Sequence, residues 1–329
     1  MRAVMVRQFG GIENASLGDV PKPTPKSGEV LLETHAVSVN FVDLVMMSGS
    51  YQFKPQLPFV PGKLPVGLVA AVGDSVTRFK PGDHALLMAE SGGFSEFCVM
   101  PEGQCVKLPS SLPFTEAAAM ALVYDTAHFA LKERGRIQPG DNVLILGATG
   151  GVGLAAIQLA KAWGGKVLAA VSSKDKSDIV LNAGADAIVD LSAPDLHDSL
   201  RQQVFALTDK KGVDIVIDML GGDIFDAAVR AMAWNGRLVV IGFAAGRIPS
   251  LKMNYVLVKN IEISGMQISD YRKRRPSDMQ ACFADIYALH AAGKLKPLPT
   301  KVYPVEQFAQ ALADIRDRKV RGRIVLTMK

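Results

Sequence analysis

The chain has 329 residues, of which 49% are hydrophobic and 21% charged, with a formal net charge of +5. That balance fills the cores of about two domains, and so mild and diffuse a basicity argues against nucleic acid as a partner. No apolar run reaches about 18 residues, which excludes a membrane-spanning helix; three cysteines without CxxC spacing exclude a disulfide framework and point to a reducing, cytoplasmic setting.

Met1 to Arg7 alternates like a strand and carries no signal-peptide core. Up to about residue 120 the pattern is one of short strands, with main runs at Val4–Val6, Glu29–Val37, Val66–Val72, His84–Met88 and Phe94–Met100. Turns such as Pro21–Pro25, Pro61-Gly62 and Lys80–Asp83 separate them, the signature of a compact β-barrel-like domain. Alanine-rich spacing over Pro113–Leu122 predicts a helix with Thr115 as its cap, and a second helix follows at Tyr124–Lys132.

From about residue 122 strands and helices alternate. Strands are expected at Val143–Leu146, Val167–Val171, Ala187–Val189, Asp214–Ile217, Arg237–Ile241 and Ile261–Met266, with helices near 153–163, 175–183, 198–207, 223–233 and 250–258. Six strands with crossovers predict an α/β doubly wound parallel sheet. The tail reads as a helix at Ser277–Ala292, a strand at Lys301–Tyr303, a helix at Val305–Asp317 and a strand at Arg323–Leu326. Its β character assigns residues 269–329 to the first domain with 1–122, so that 123–268 is an insertion. The basic runs at 272–275 and 316–323 read as solvated faces.

Within the insertion, the apolar strand Val143–Leu146 runs into a glycine-dense turn, Gly147 to Gly153, and then into a helical pattern. That order makes a pyrophosphate site: glycines allow close backbone approach, and the helix N-terminus offers unpaired N–H groups. Two registers fit, Gly151-Gly153-Ala156 and Ala148-Gly150-Gly153; Gly151 and Val152 lie in the turn under either. A dinucleotide site for NAD usually ends its second strand with an acid. Here the strand ends in Ser172 and Ser173, followed by Lys174 and Lys176. Hydroxyls and ammonium groups suit a 2′-phosphate, so NADPH is the expected cofactor.

Several further motifs occur in order: Ser38–Asp43, Ser48–Tyr51, Leu57–Gly62, Phe79–Asp83, Gly92–Phe94, Ala148–Gly153, Asp218–Gly222, Gly236–Phe243 and Gly322–Val325. On these the chain resembles the zinc-free medium-chain dehydrogenase/reductases, close to the NADPH:quinone oxidoreductase group. The resemblance implies a GroES-like β-barrel catalytic domain with an inserted Rossmann domain, the cofactor lying in the cleft between them. It places Asn40 and Asp43 at the nicotinamide end and Tyr51 toward the substrate, with Asn40 donating from its amide and Tyr51 donating a proton or orienting a carbonyl. Thr126, Gly242, Phe243, Met266, Gln267 and Arg323 would border the cofactor. Ser172, Ser173 and Lys176 would bind the 2′-phosphate, although Leu191 stands where a helping tyrosine is usual.

Two departures accompany the resemblance. Lys63-Leu64 stands where relatives carry an acid after Pro-Gly, and Asp125 stands where glycine is common. Asn40 occupies the place of the leading cysteine of zinc-dependent relatives, and no lobe of four close cysteines is present, so no metal is expected. The implied activity is metal-free hydride transfer from NADPH to quinones or related α,β-unsaturated carbonyls (enones). The alternatives are a 2-enoyl-thioester reductase and a weakly active NADPH-binding sensor or structural protein. An apolar edge at the last Rossmann strand implies a homodimer.

Overall fold

Alternation of apolar residues makes the strands of the first third. In the computed structural model, which describes residues 1–328 without the side chain of Lys174, β1 (Arg2–Val6) pairs antiparallel with β2 (Ala15–Asp19). β3 (Glu29–Val39) is flanked by β4 (Val66–Val72) and β6 (Phe97–Pro101); β5 (His84–Leu87) and β7 (Cys105–Lys107) continue beyond β4. Register shifts between β3 and β4 at Leu31/Leu32 and Thr34/Ala36 bend the sheet. β2 and β7 were not expected, because neither Ala15–Asp19 nor Cys105–Lys107 is long or apolar enough to stand out. The helix Phe114–Met120 begins after Pro113, and no side chain caps it. Thr115 therefore lies inside the first turn and is not the cap.

The insertion forms a purely parallel sheet. β8 (Asn142–Leu146), β9 (Lys166–Val171), β10 (Ala187–Asp190), β11 (Val213–Asp218), β12 (Met232–Val240) and β13 (Glu262–Gly265) lie in the order β10-β9-β8-β11-β12-β13. This is the doubly wound order, with its reversal between β8 and β11. Leu144, Leu146, Leu168, Val216 and Leu238 are buried, as strands covered on both faces require. The helix expected at Tyr124–Lys132 ends at Phe129 and passes into a π-helical turn, Ala130–Arg134.

The chain then returns to the first sheet through β14 (Thr300–Pro304) and β15 (Arg323–Thr327). β15 runs antiparallel to β3, giving seven strands in the order β14-β15-β3-β4-β5-β7 with β6 beside β3. Val37, Val39, Phe94, Ile324 and Leu326 share its core. The chain divides into two compact units, residues 1–122, 269–283 and 297–329, and residues 123–268 with 284–296. Residues 284–296, which the sequence reading left with the first domain, cluster with the second. The reason lies in polar anchors. Asp285 binds His128 at 2.9 Å and Lys132 at 2.6 Å, and the Lys296 backbone binds Gln158.

Candidate active site

The second unit builds a tight glycine turn between a strand and a helix. β8 delivers the chain to Gly147, whose φ of 80° favours glycine. Gly150 N donates to Gly147 O at 3.1 Å, and the helix Gly151–Ala162 starts there with no side-chain cap. The N–H groups of Gly151, Val152 and Gly153 thus open the helix as an anion site, at the positive end of its dipole. A Cβ on Gly153 would lie 2.4 Å from Gly147 O and 2.6 Å from Ala148 Cα, so only glycine lets the helix approach the strand. This geometry supports the Ala148-Gly150-Gly153 register.

At the end of β9, Lys176 N donates to Ser173 O at 3.2 Å, closing a turn ahead of the helix Ser177–Asn182. Ser172 is exposed, while Ser173 and Lys176 are half-buried. Lys174, expected beside them, has a side chain that lies outside the described residues.

The far ends of β11 to β13 line the same sheet edge. Asp218 O accepts from Ile241 N at 2.8 Å and Gly242 N at 3.4 Å, and Phe243 follows, exposed. Met266 is buried, with its N–H on Val240 O at 3.0 Å, and Gln267 is exposed. Asp218 stood out in the sequence only as the head of the Asp218–Gly222 motif, with no role assigned to it. Burial pushes its carboxyl up against the pull of two backbone donors, Leu220 N at 2.8 Å and Gly221 N at 3.0 Å, which shape the glycine turn after β11. An acid three residues ahead of paired glycines was the available signal.

Thr126 and Asp125 are both buried in the helix Val123–Phe129, where Asp125 Oδ1 accepts from Thr126 N at 2.8 Å. An acid in the first turn of a helix is favoured by the dipole, which gives Asp125 a local structural role. Backbone N–H groups, serine hydroxyls and an ammonium along one edge of a parallel sheet fit a phosphorylated dinucleotide.

The first unit holds the residues expected on the acceptor side. Asn40 sits between β3 and the helix Phe41–Met47, and its N–H donates to Asp43 Oδ2 at 2.8 Å. Its side-chain Nδ2 donates to Ser38 O at 3.1 Å and Ser38 Oγ at 3.0 Å, and its Oδ1 accepts from Arg323 Nη2 at 2.8 Å. Arginine only donates and a carbonyl only accepts, so the amide has one possible orientation. Arg323 in turn donates from Nε to Ala119 O at 3.0 Å. Asn40 and Arg323 are each 4% exposed, and Asp43 is 0% exposed. The Asn40 amide, expected to donate to the acceptor, is therefore engaged with Ser38. Arg323, expected at the cofactor, anchors Asn40. Asp43 acts as a positioning residue for the same turn. Tyr51 differs: it is half-buried, and its hydroxyl makes no hydrogen bond among the described residues.

A four-residue ionic cluster, invisible in the sequence, lies beside these groups. Leu64, in the expected place of an acid, is buried with φ 53°. Its neighbour Lys63, 1% exposed, donates to Glu90 Oε2 at 2.5 Å. Ser269 Oγ reaches the same oxygen at 2.6 Å, and Arg272 Nη1 reaches Oε1 at 2.8 Å. Arg272, read as part of a solvated run, is 1% exposed.

The Glu90 and Asp43 carboxylates shift in opposite directions. Burial pushes Glu90 up, but the Arg272 and Lys63 charges and the hydrogen bonds from Lys63 and Ser269 outweigh it and hold the acid at about 2. Burial dominates at Asp43 and raises it to about 6, against the Asn40 N–H and the Lys63 charge. The difference follows from donors: three side chains saturate Glu90, whereas Asp43 Oδ1 has no hydrogen-bond partner. Among the described residues, no group of three or more His, Cys, Asp or Glu is arranged to hold a metal ion.

Comparison with known proteins agrees with both halves. The alcohol dehydrogenase GroES-like domain family matches residues 26–110, and the zinc-binding dehydrogenase family matches residues 151–285. The chain is 36% identical over 306 residues to a quinone oxidoreductase-like protein 2 homolog of Nematostella vectensis, covering 92% of this chain and 82% of the relative. It is 35% identical over 331 residues to the Homo sapiens quinone oxidoreductase, covering 100% of this chain and 98% of that one. A mycobacterial structure complexed with NADPH superposes with a TM-score of 0.91 at 29% identity, covering 99% of this chain and 100% of the other. The chain belongs to the medium-chain dehydrogenase/reductase superfamily, in its zinc-free NADPH:quinone oxidoreductase group.

Proposed function

We propose that the protein reduces quinones or related α,β-unsaturated carbonyls with NADPH. The cofactor supplies the hydride when bound. The helix start at Gly151–Gly153 holds the pyrophosphate, and Ser172, Ser173 and Lys176 bind the 2′-phosphate. Asp43 and Arg323 fix Asn40 and with it the end of β3. Tyr51 hydrogen-bonds the acceptor oxygen as negative charge develops there and provides its proton. Tyr51 carries this reading. Of the three residues expected on the acceptor side it alone is not enclosed, and its hydroxyl has no protein partner among the described residues.

The test is NADPH oxidation with benzoquinone, phenanthrenequinone, an enone, crotonyl-CoA and no acceptor. Quinone turnover without crotonyl-CoA turnover is the expected result. Turnover of crotonyl-CoA alone would replace the reading with an enoyl-thioester reductase. Tight NADPH binding without any turnover would make the protein a sensor or structural protein.

The same reading includes a homodimer joined through β13. This strand pairs only with β12 among the described residues, and Leu257 and Val258 are 78% and 74% exposed in the short helix just before it. An open strand edge beside exposed apolar side chains favours pairing with a second copy. Sedimentation as a monomer at micromolar concentration would remove the dimer. A cytoplasmic location is supported by three buried cysteines that form no disulfide with one another.

A further inference from the structure

We propose that Lys63 is the positioning residue for Tyr51, and that through Lys63 and Glu90 the helix Ile268–Arg274 sets the geometry of the acceptor-side loop. The inference rests on Tyr51 meeting the acceptor.

Residues 51–58 make no hydrogen bond or ion pair among the described residues. Apart from apolar packing of Tyr51 and Leu57 against the barrel core, the loop is held by two ring contacts. Lys63 Nζ lies 4.9 Å from the centroid of the Tyr51 ring, and Lys273 Nζ lies 4.8 Å from that of Phe53. Both distances are within the range of cation–π attraction, which strengthens when the cation is removed from water. Lys63 has a side-chain exposure of 2%.

Each cation leads back to one helix. Lys273 belongs to Ile268–Arg274, and Lys63 is tied to it by Glu90, whose other donors are Ser269 and Arg272 of that helix. The backbone under Lys63 is equally fixed. Gly62 has φ 90°, and a Cβ there would lie 2.7 Å from Phe94 N. Leu64 N donates to Ala89 O at 3.0 Å, and Gly93 N donates to Gly62 O at 2.9 Å.

Stability does not explain this arrangement. A buried ion pair seldom stabilises a fold more than apolar residues of the same size, because both charges lose their water. What the cluster provides is direction: one ammonium, held by Glu90, faces one side of one tyrosine ring.

The test is a double-mutant cycle on the full-length protein, read as kcat and KM for quinone and KM for NADPH. Lys63→Met leaves Glu90 bonded to Arg272 and Ser269, and Lys63→Gln additionally keeps a donor toward Glu90 without the charge. Either should lower kcat/KM for the quinone about tenfold, with KM for NADPH unchanged, and Lys63→Arg should recover most of the loss. In a Tyr51→Leu background the effect of Lys63→Met should disappear. An undiminished effect there, or an equal rise in the NADPH KM, would overturn the proposal. Unchanged kinetics in Lys63→Gln while Tyr51→Leu is slow would overturn it and leave the reading of Tyr51 standing. Full activity in Tyr51→Leu would overturn both.

Discussion

The glycine turn of the second unit presents its polarity through backbone atoms, whereas the ionic cluster of the first presents it through side chains. At Gly147–Gly153 no charged side chain is needed. A helix without a side-chain cap and a strand with no room for a Cβ make the site. Around Asn40, Asp43, Lys63 and Glu90, charges removed from water must satisfy one another, and most do. A backbone site tolerates surface change and fails on bulk. A buried ionic site tolerates bulk at its margins and fails when one charge loses its partner.

The largest effect should come from stranding a charge. Glu90→Gln leaves the buried Lys63 ammonium without its carboxylate and should cost about 3–5 kcal/mol at neutral pH, measured by denaturant unfolding. The acid side gives a sign. Because Glu90 lies below its ordinary 4.5, its pairing stabilises the fold above pH 4.5 and is lost as pH falls toward about 2. Native stability should therefore drop through that window, and the variant should show a shallower slope. An identical slope in both proteins would mean that Glu90 is not the group responsible.

The matching perturbation of the turn is steric. Gly153→Val drives a side chain into Gly147 O and Ala148 and should destabilise the second unit by about 3 kcal/mol while abolishing NADPH binding. Retained binding, followed by quenching of protein fluorescence, would contradict the packing role of Gly153.

Asp43 provides the next step down, with the opposite pH sign to Glu90. Its raised value means that native stability falls as pH climbs from 3.8 to about 6. Asp43→Asn keeps an oxygen for the Asn40 N–H and removes the charge. It should erase that decline, a gain of no more than about 3 kcal/mol above pH 6. Unfolding curves across the window decide it, and an undiminished decline in the variant would clear Asp43 of the effect.

The smallest of the four is at the cofactor phosphate. Lys176→Glu should raise the KM for NADPH by about tenfold, roughly 1.4 kcal/mol, with less change for NADH. An unchanged NADPH KM would remove Lys176 from the phosphate site.

The two regions also differ in how far they could be read in advance. The turn was legible because strand, glycines, helix and the Ser172–Lys176 segment are local, and each residue type has one physical reason to be there. Asn40, Asp43 and Tyr51 were found by family resemblance, but not what they touch: the Asn40 partner Arg323 lies at the other end of the chain. Lys63 stood out only as a departure from the family and Arg272 only as part of a basic run, and nothing tied either to Glu90, because the three stand far apart in sequence and each alone resembles a surface charge. The boundary near residue 284 escaped for the same reason, since Asp285 is anchored by His128 and Lys132.

The sequence by itself determined the two kinds of sheet, the parallel order, the glycine turn and the expectation of NADPH. These follow from periodicity, glycine sterics and the absence of one acid, all of which act within a few dozen residues. Only the tertiary structure decided which charges are buried, which polar groups are already engaged, and that the Tyr51 hydroxyl is left without a hydrogen bond among the described residues. Those outcomes depend on which distant residues share a space without water, and there the strength of a charge is set by its neighbours.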